Sequence, residues 1–207
     1  MIVRETETPV TVRTGDRILA AARALLAEGG VERCSMRLVA TRAGVTPGAI
    51  YRHYRDKDAL VDRVVELSFE RFEIALLRAI AAQPVGSFAR IAAMGDAYIA
   101  FAEEHEEEFK VLFNPIVTAR KRLADLPGHG GYPILRQCIV EAMDAGTIRS
   151  TADPDLVALF LWSRVLGVLT LLMTCDFEGE IAFEGTLDPR GLFEATRDLV
   201  VDGLAPR

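Results

Sequence analysis

The sequence predicts an all-α fold, on three observations. Apolar residues recur at spacings of three and four through almost every segment after residue 13. No stretch alternates apolar and polar residues between hairpin dipeptides. Capping residues, prolines suited to a first helical position and closing glycines punctuate the chain at helix-length intervals. The 207 residues are 50% hydrophobic and 26% charged, a globular composition sufficient for one domain or for a small domain joined to a larger one.

In the N-terminal part, Ile18, Ala22, Leu25 and Leu26 line one face of a first helix, expected to stop at Glu28-Gly29-Gly30. Ser35 is placed to cap a short second helix holding Leu38, Val39 and Ala43 and closed by Gly44. Thr46 is placed to cap a third, with Pro47 at its first position. Asp56 caps a fourth, whose apolar period runs from Val61 to Ala79 and ends at Gln83-Pro84. At 1.5 Å per residue its 26 or so residues give a rod of roughly 39 Å.

Beyond Pro84 the same signals mark helices from Ser87 to about His105 and onward to Phe113, stopped by Asn114-Pro115. A segment from Ile116 breaks at Leu126-Pro127-Gly128-His129-Gly130-Gly131, read as a flexible joint. Pro133–Ala145 closes on Gly146, Asp153-Pro154 opens a strongly apolar helix to about Thr174, and Asp188-Pro189 opens a last one to about Gly203. Residues 176–187 read as a loop. The apolar helix is not expected to span a membrane, because Arg164 at its centre costs about 2.5–3.5 kcal/mol on insertion scales. Its apolar surface needs cover from neighbours or from a second subunit.

Charge is unevenly distributed. The chain as a whole is acidic, with a net charge of −6, yet residues 13–57 hold nine basic and four acidic side chains. A basic head on an acidic body can dock phosphates with the head alone. Met1–Arg13 lacks the apolar run of a secretory signal, so a cytoplasmic location is expected. Cys34, Cys138 and Cys175, odd in number and far apart, suit reduced packing thiols better than a disulfide frame or a zinc site.

The basic head carries the functional signal. From Ser35 to Lys57 the text SMRLVATRAGVTPGAIYRHYRDK gives two short helices around a tight turn at Gly44-Val45. That is helix-turn-helix grammar. The second short helix is expected to expose Thr46, Pro47, Gly48, Ala49, Arg52 and His53 while Ile50 faces the core. Tyr51 and Lys57 sit near its two ends, suited to phosphates on opposite sides of a groove. Arg52 could pair bidentately with guanine or clamp another phosphate. Ser35 and Arg37 lie at a helix N-terminus, whose free N–H groups attract phosphate. His53 suits packing or backbone contact better than base reading.

The block from Arg17-Ile18-Leu19-Ala20-Ala21-Ala22 through GVTPGAIYRHYRDKDAL resembles the DNA-binding domain of the TetR family of bacterial transcription regulators, over about 50 contiguous residues. The resemblance implies that Tyr51 and Lys57 contact phosphates, that Thr46 caps the recognition helix and touches the backbone, and that Pro47, Gly48, Ala49 and Arg52 face bases. Met94 to Ala102, with His105, Phe109 and Leu112, is similar to the WHG-type effector domain of one subgroup. There Trp162-Ser163-Arg164-Val165-Leu166-Gly167 departs by placing Leu166 where that pattern has histidine.

The resemblance implies a flexible arm at 1–12, a helix-turn-helix DNA-binding domain at 13–58, and a larger helical effector-binding and dimerisation domain at 59–207, joined by the long helix. It implies a repressor released from a palindromic double-stranded DNA operator by a small, largely apolar effector, and a homodimer formed through 153–174 and 188–203. Candidate cavity residues are Met94, Tyr98, Phe101, Phe109, Phe113, Met143, Trp162 and Leu169, though such stripes more often form plain core. No GxSxG, HExxH or Walker loop is present, so neither an enzyme nor a cofactor or metal is expected. His105 and Glu108 share a face without a third ligand, and Glu103–Glu108 reads as a solvated run. The competing reading is a helical dimeric interaction module whose basic head meets an acidic protein.

Overall fold

A computed structural model describes residues 13–113, 131–149, 151–174 and 189–205. The expected N-terminal arm, the stop at Asn114-Pro115, the segment from Ile116 to the glycine-rich joint, Cys175 and the 176–187 loop lie outside the described residues. Among the described residues every regular element is an α-helix, ten in all: α1 Thr14–Arg33, α2 Met36–Ala43, α3 Pro47–Tyr51, α4 Lys57–Ala81, α5 Phe88–Glu104, α6 Glu106–Phe113, α7 Tyr132–Asp144, α8 Pro154–Thr174, α9 Pro189–Ala195 and α10 Arg197–Leu204. The chain divides into two compact units, Met1–Val65 with Lys110–Ala119 and Glu66–Phe109 with Arg120–Arg207.

In the first unit α1 packs on α2 and α2 on α3. Ile18, Ala22, Leu25, Leu26, Val39 and Ile50 are buried there with Cys34. Each fully buried leucine or isoleucine contributes about 1.5–3 kcal/mol. The Ser35 hydroxyl accepts from the Leu38 N–H at 3.2 Å, and the Asp56 carboxylate accepts from the Ala59 N–H at 2.8 Å, so both expected caps form. Two details differ from expectation. The chain kinks at Gly29-Gly30, where Gly30 takes φ 65°, but helical structure resumes to Arg33; the added turn delivers Cys34 to the core, fully buried. Thr46 makes no side-chain cap bond. Its backbone carbonyl serves instead, accepting from the Ala49 N–H at 2.9 Å, while Pro47 has no N–H to satisfy.

The α2–α3 turn is a Schellman motif. Gly44 sits at φ 62°, its N–H reaching the Thr41 carbonyl at 3.2 Å and the Val45 N–H reaching the Ala40 carbonyl at 3.0 Å. Arg17 from α1 donates to the carbonyls of Ala43 and Gly44, at 2.9 Å for the latter, placing a cation on the negative end of α2.

In the second unit α7 and α8 pack together, α5 lies against both, and α9 touches α5, α8 and α10. Arg90 of α5 donates to the carbonyls of Ile80 and Gln83, closing the end of α4 as Arg17 closes α2. The Asp153 carboxylate accepts from the N–H groups of Asp155 and Leu156, capping α8 at the predicted place. The last predicted helix is two. Thr196 leaves helical geometry at ψ 2°, and its hydroxyl is held by Arg164. Glu108 corrects the reading of a solvated acidic run: it is buried and accepts from Arg71 at 2.7 Å.

Candidate nucleic-acid interface and effector cavity

The outward side of the first unit collects most of the residues singled out in the sequence. Ser35, Arg37, Thr46, Pro47, Gly48, Tyr51, Arg52 and His53 are all exposed, and Lys57 is half-buried at the start of α4. Tyr51 is 57% exposed, a large aromatic left outside a core that had room for Ile50. No Cβ built on Gly48 would meet another atom, so this spot on α3 is open to close backbone approach. His53 lies against the first turn of α1, its ring 3.8 Å from a Cβ built on Gly15. Lys57 lies close enough to Cys34 to oppose the upward pull of burial on that thiol.

Ala49 is the exception. It is 7% exposed and shares the inward side of α3 with Ile50, so it cannot face bases. The inward direction of α3 falls between Ile50 and Ala49, so both are buried, while Pro47, Gly48 and Tyr51, on the other side of that direction, are exposed.

The second unit contains a partly open cavity. Met94 and Tyr98 of α5 and Trp162 of α8, three of the eight residues nominated from sequence, line it. So do Phe88, Ile91, Gly95, Gly131, Tyr132, Leu135, Leu161, Val165, Phe193 and Val200, with two arginines, Arg164 and Arg197. The other five candidates are not in its wall. Phe101 and Phe109 instead build an aromatic cluster with Phe72 and Tyr98, with Phe72 edge-on to Tyr98 at 4.9 Å and to Phe101 at 5.1 Å between centroids. Leu169 is buried as plain core, and Phe113 and Met143 are half-buried elsewhere. Helical period placed these side chains on inward faces, but period alone does not distinguish filled core from cavity wall.

Polar groups are few in this wall. Trp162 Nε1 donates to the Tyr98 hydroxyl at 3.4 Å, and burial pushes the Tyr98 phenol well above its ordinary range against that bond. Tyr132 donates to Asp155 at 2.6 Å, and Asp155 also accepts from Arg136 at 2.7 Å. Those bonds hold the Asp155 carboxyl below its usual value, Arg136 first and Tyr132 second. Arg164 donates to the Phe193 carbonyl and the Thr196 hydroxyl, and its guanidinium lies 4.0 Å above the Phe193 ring. Arg197 pairs with Asp96 at 2.9 Å.

Arg164 and Arg197 were missed as site residues. For Arg164 the available signal is an arginine inside an otherwise apolar helix. Gly95 was missed too. A Cβ there would lie 2.5 Å from Phe193 Cζ, so the glycine is what lets α9 close one side of the cavity. Among the described residues no cluster of three His, Cys, Asp or Glu side chains could hold a metal ion.

Comparison with known proteins follows the same division. The family described as bacterial regulatory proteins, tetR family, matches residues 18–64, and the tetracyclin repressor-like C-terminal domain matches residues 91–199. The HTH-type transcriptional regulator UidR of Escherichia coli (strain K12) is 34% identical over 58 residues, which are 28% of this chain and 30% of that protein. The chain therefore spans about three tenths of the length of the curated relatives it matches. A protein with unknown function from Rhodococcus sp. RHA1 superposes with TM-score 0.73 at 27% identity, covering 97% of this chain and 100% of that one. SmeT, the repressor of the Stenotrophomonas maltophilia multidrug efflux pump SmeDEF, superposes with TM-score 0.63 at 26% identity, covering 92% of this chain and 88% of that one. With one match over the helix-turn-helix and a second over more than half its length, this chain belongs to the TetR family of bacterial regulatory proteins.

Proposed function

We propose that this protein is a sequence-specific DNA-binding repressor, released from a roughly palindromic operator when a small, largely apolar molecule fills the cavity of the second unit. The observation that carries the reading is α3: Ile50 and Ala49 are buried while Pro47, Gly48, Tyr51 and Arg52 are exposed, next to the half-buried Lys57. A recognition helix needs that division, one side anchored and the other free to enter a major groove. In this reading Tyr51 and Lys57 hold phosphates, Arg52 reads a base edge, Ser35 and Arg37 present the N-terminus of α2 to the backbone, and Thr46 and His53 contact sugar or phosphate.

Operators read by two-fold dimers place half-sites about 34 Å apart. The exposed apolar residues of α8 and α10 support such a dimer: Leu156, Leu159, Phe160 and Leu171 on the one, Leu199 and Val201 on the other. The same α8 contains a window, Pro154–Leu171, long and apolar enough to cross a membrane by length and composition, of which 33% is buried. We assign its exposed side to the partner protomer, not to lipid, and place the protein in the cytoplasm with its operator. A WHG-type effector domain is part of this reading, supported by Trp162 on the cavity wall and Gly167 five residues on. The role is binding, not catalysis.

An effector releases DNA only by binding the non-operator geometry more tightly. Capture of genomic fragments by the purified protein, followed by salt titration on the enriched duplex, tests the reading. A steep loss of affinity with salt is expected from phosphate contacts. A flat salt response, or no enriched sequence, would overturn it.

A further inference from the structure

The cavity wall is apolar apart from a few groups, yet it carries two guanidinium groups whose charges are not balanced among the described residues. Arg197 has a carboxylate partner in Asp96 at 2.9 Å. Arg164 has none among the described residues. Its Nε and Nη2 donate to neutral acceptors, the Phe193 carbonyl and the Thr196 hydroxyl, and the rest of the cation lies over the Phe193 ring. The Phe193 carbonyl belongs to the last turn of α9, and a helix C-terminus offers at most about half a negative charge. Among the described residues one carboxylate and that half-charge face two arginines, so this part of the wall keeps a positive excess. Burial and the nearby Arg197 both press on Arg164, with Asp96 opposing. The Arg197 Nε is itself buried without a hydrogen-bond partner.

We propose that the effector is an anion, a carboxylate on an apolar body, and that its head is received by Arg164 with Arg197 beside it. This rests on the effector reading of the cavity given above. The apolar body lies against Ile91, Leu135, Leu161 and Val165, which offer no hydrogen bonds from their side chains. A carboxylate at the guanidinium gains charge-assisted bonds where the protein supplies only neutral acceptors. A neutral head leaves a cation in a drier site than before, and a cationic head is repelled by both arginines.

The test uses the full chain and its single tryptophan, Trp162, which stands in the cavity wall and reports occupancy by its emission. The probes are decanoate, 1-decanol and decylammonium, one chain with three head charges, together with 4-phenylbutyrate and 4-phenylbutanol as a second apolar body. At least one acid should bind tenfold or more tightly than its alcohol, and decylammonium should bind weakest. Arg164→Gln should erase the preference for acid over alcohol, with the acid losing more affinity than the alcohol. Arg164→Lys, which keeps the charge, should retain most of the preference, and it carries the test together with Arg197→Gln if the glutamine variant does not fold. Equal affinity of acid and alcohol, or a preference that survives the loss of charge at 164, overturns the anion proposal while leaving the effector reading intact. If no probe of either charge moves the emission, the anion proposal falls; the release reading is then judged by whether a small-molecule library dissociates the enriched duplex.

Discussion

The Arg17 guanidinium donates to the Gly44 carbonyl across 2.9 Å, so the first turn of α1 grips the turn that aims α3. Gly44 meets two demands there. Its φ of 62° is one that L side chains rarely adopt, and a Cβ built on it would stand 2.8 Å from Arg17 Nη2. Gly44→Ala should therefore destabilise the protein by about 1–2 kcal/mol, the cost of the left-handed conformation, and should weaken DNA retention further because α3 loses its aim. Gly44→Asn should lose less, since asparagine tolerates that conformation. Urea midpoints beside operator affinity separate the two effects. Equal stability of the alanine variant and the wild type would show that the turn is not held this way.

Arg52 and Lys57 are expected to fail differently. Arg52→Ala should cost about 1–3 kcal/mol on the preferred duplex and flatten the preference at one base position, because a bidentate guanine contact is lost. Lys57→Ala should weaken all sequences alike and reduce the salt slope by about one, because a phosphate contact is lost. Anisotropy titrations on the enriched duplex and a scrambled one, at several salt concentrations, read both. Identical behaviour of the two variants would reassign Arg52 to the backbone.

The N-terminal unit was largely legible in the sequence because its signals are local: Ser35, Gly44, Pro47 and Asp56 each specify a backbone event within four residues. Ala49 was misplaced because a five-residue helix is too short for its burial to be read from period. The cavity was harder. Phe101, Phe109 and Trp162 look alike in a hydrophobic pattern, yet Phe101 meets Phe72 edge-on, Phe109 meets Tyr98 edge-on and Trp162 lines empty space, differences set by tertiary packing. Arg164 and Gly95 are the clearest cases. Their meaning lies in Phe193, 29 and 98 positions on, and nothing local announces the contact.

Gly95→Ala tests that contact. The added methyl meets Phe193 Cζ at 2.5 Å, and overpacking of this kind costs about 1–3 kcal/mol, while alanine returns about 1 kcal/mol of helix propensity. A net loss of up to about 2 kcal/mol is expected, with a changed Trp162 emission as α9 shifts. Adding Phe193→Leu should relieve the clash, so the double variant should be more stable than the sum of the single effects predicts. Strict additivity in the thermal or urea transitions would mean that the two residues are not in contact.

The exposed side of α8 is largely apolar. Leu156, Leu159, Phe160 and Leu171 are 67%, 47%, 51% and 48% exposed, and their spacing places them along one side of the helix with Ser163 and Gly167 between. Fully burying one such side chain contributes about 1.5–3 kcal/mol, and a two-fold contact counts each residue twice. Replacing Phe160 by glutamate should therefore cost the dimer several kcal/mol while leaving the fold of each chain intact, since that ring is not part of the protomer's own core. Light scattering at about micromolar concentration should show the wild type as a dimer and Phe160→Glu as a monomer, with unchanged helical circular dichroism. Operator affinity should fall with it, because a single head contacts one half-site and loses the second groove. A Phe160→Glu chain that stays dimeric and binds as the wild type would place the partner on another surface.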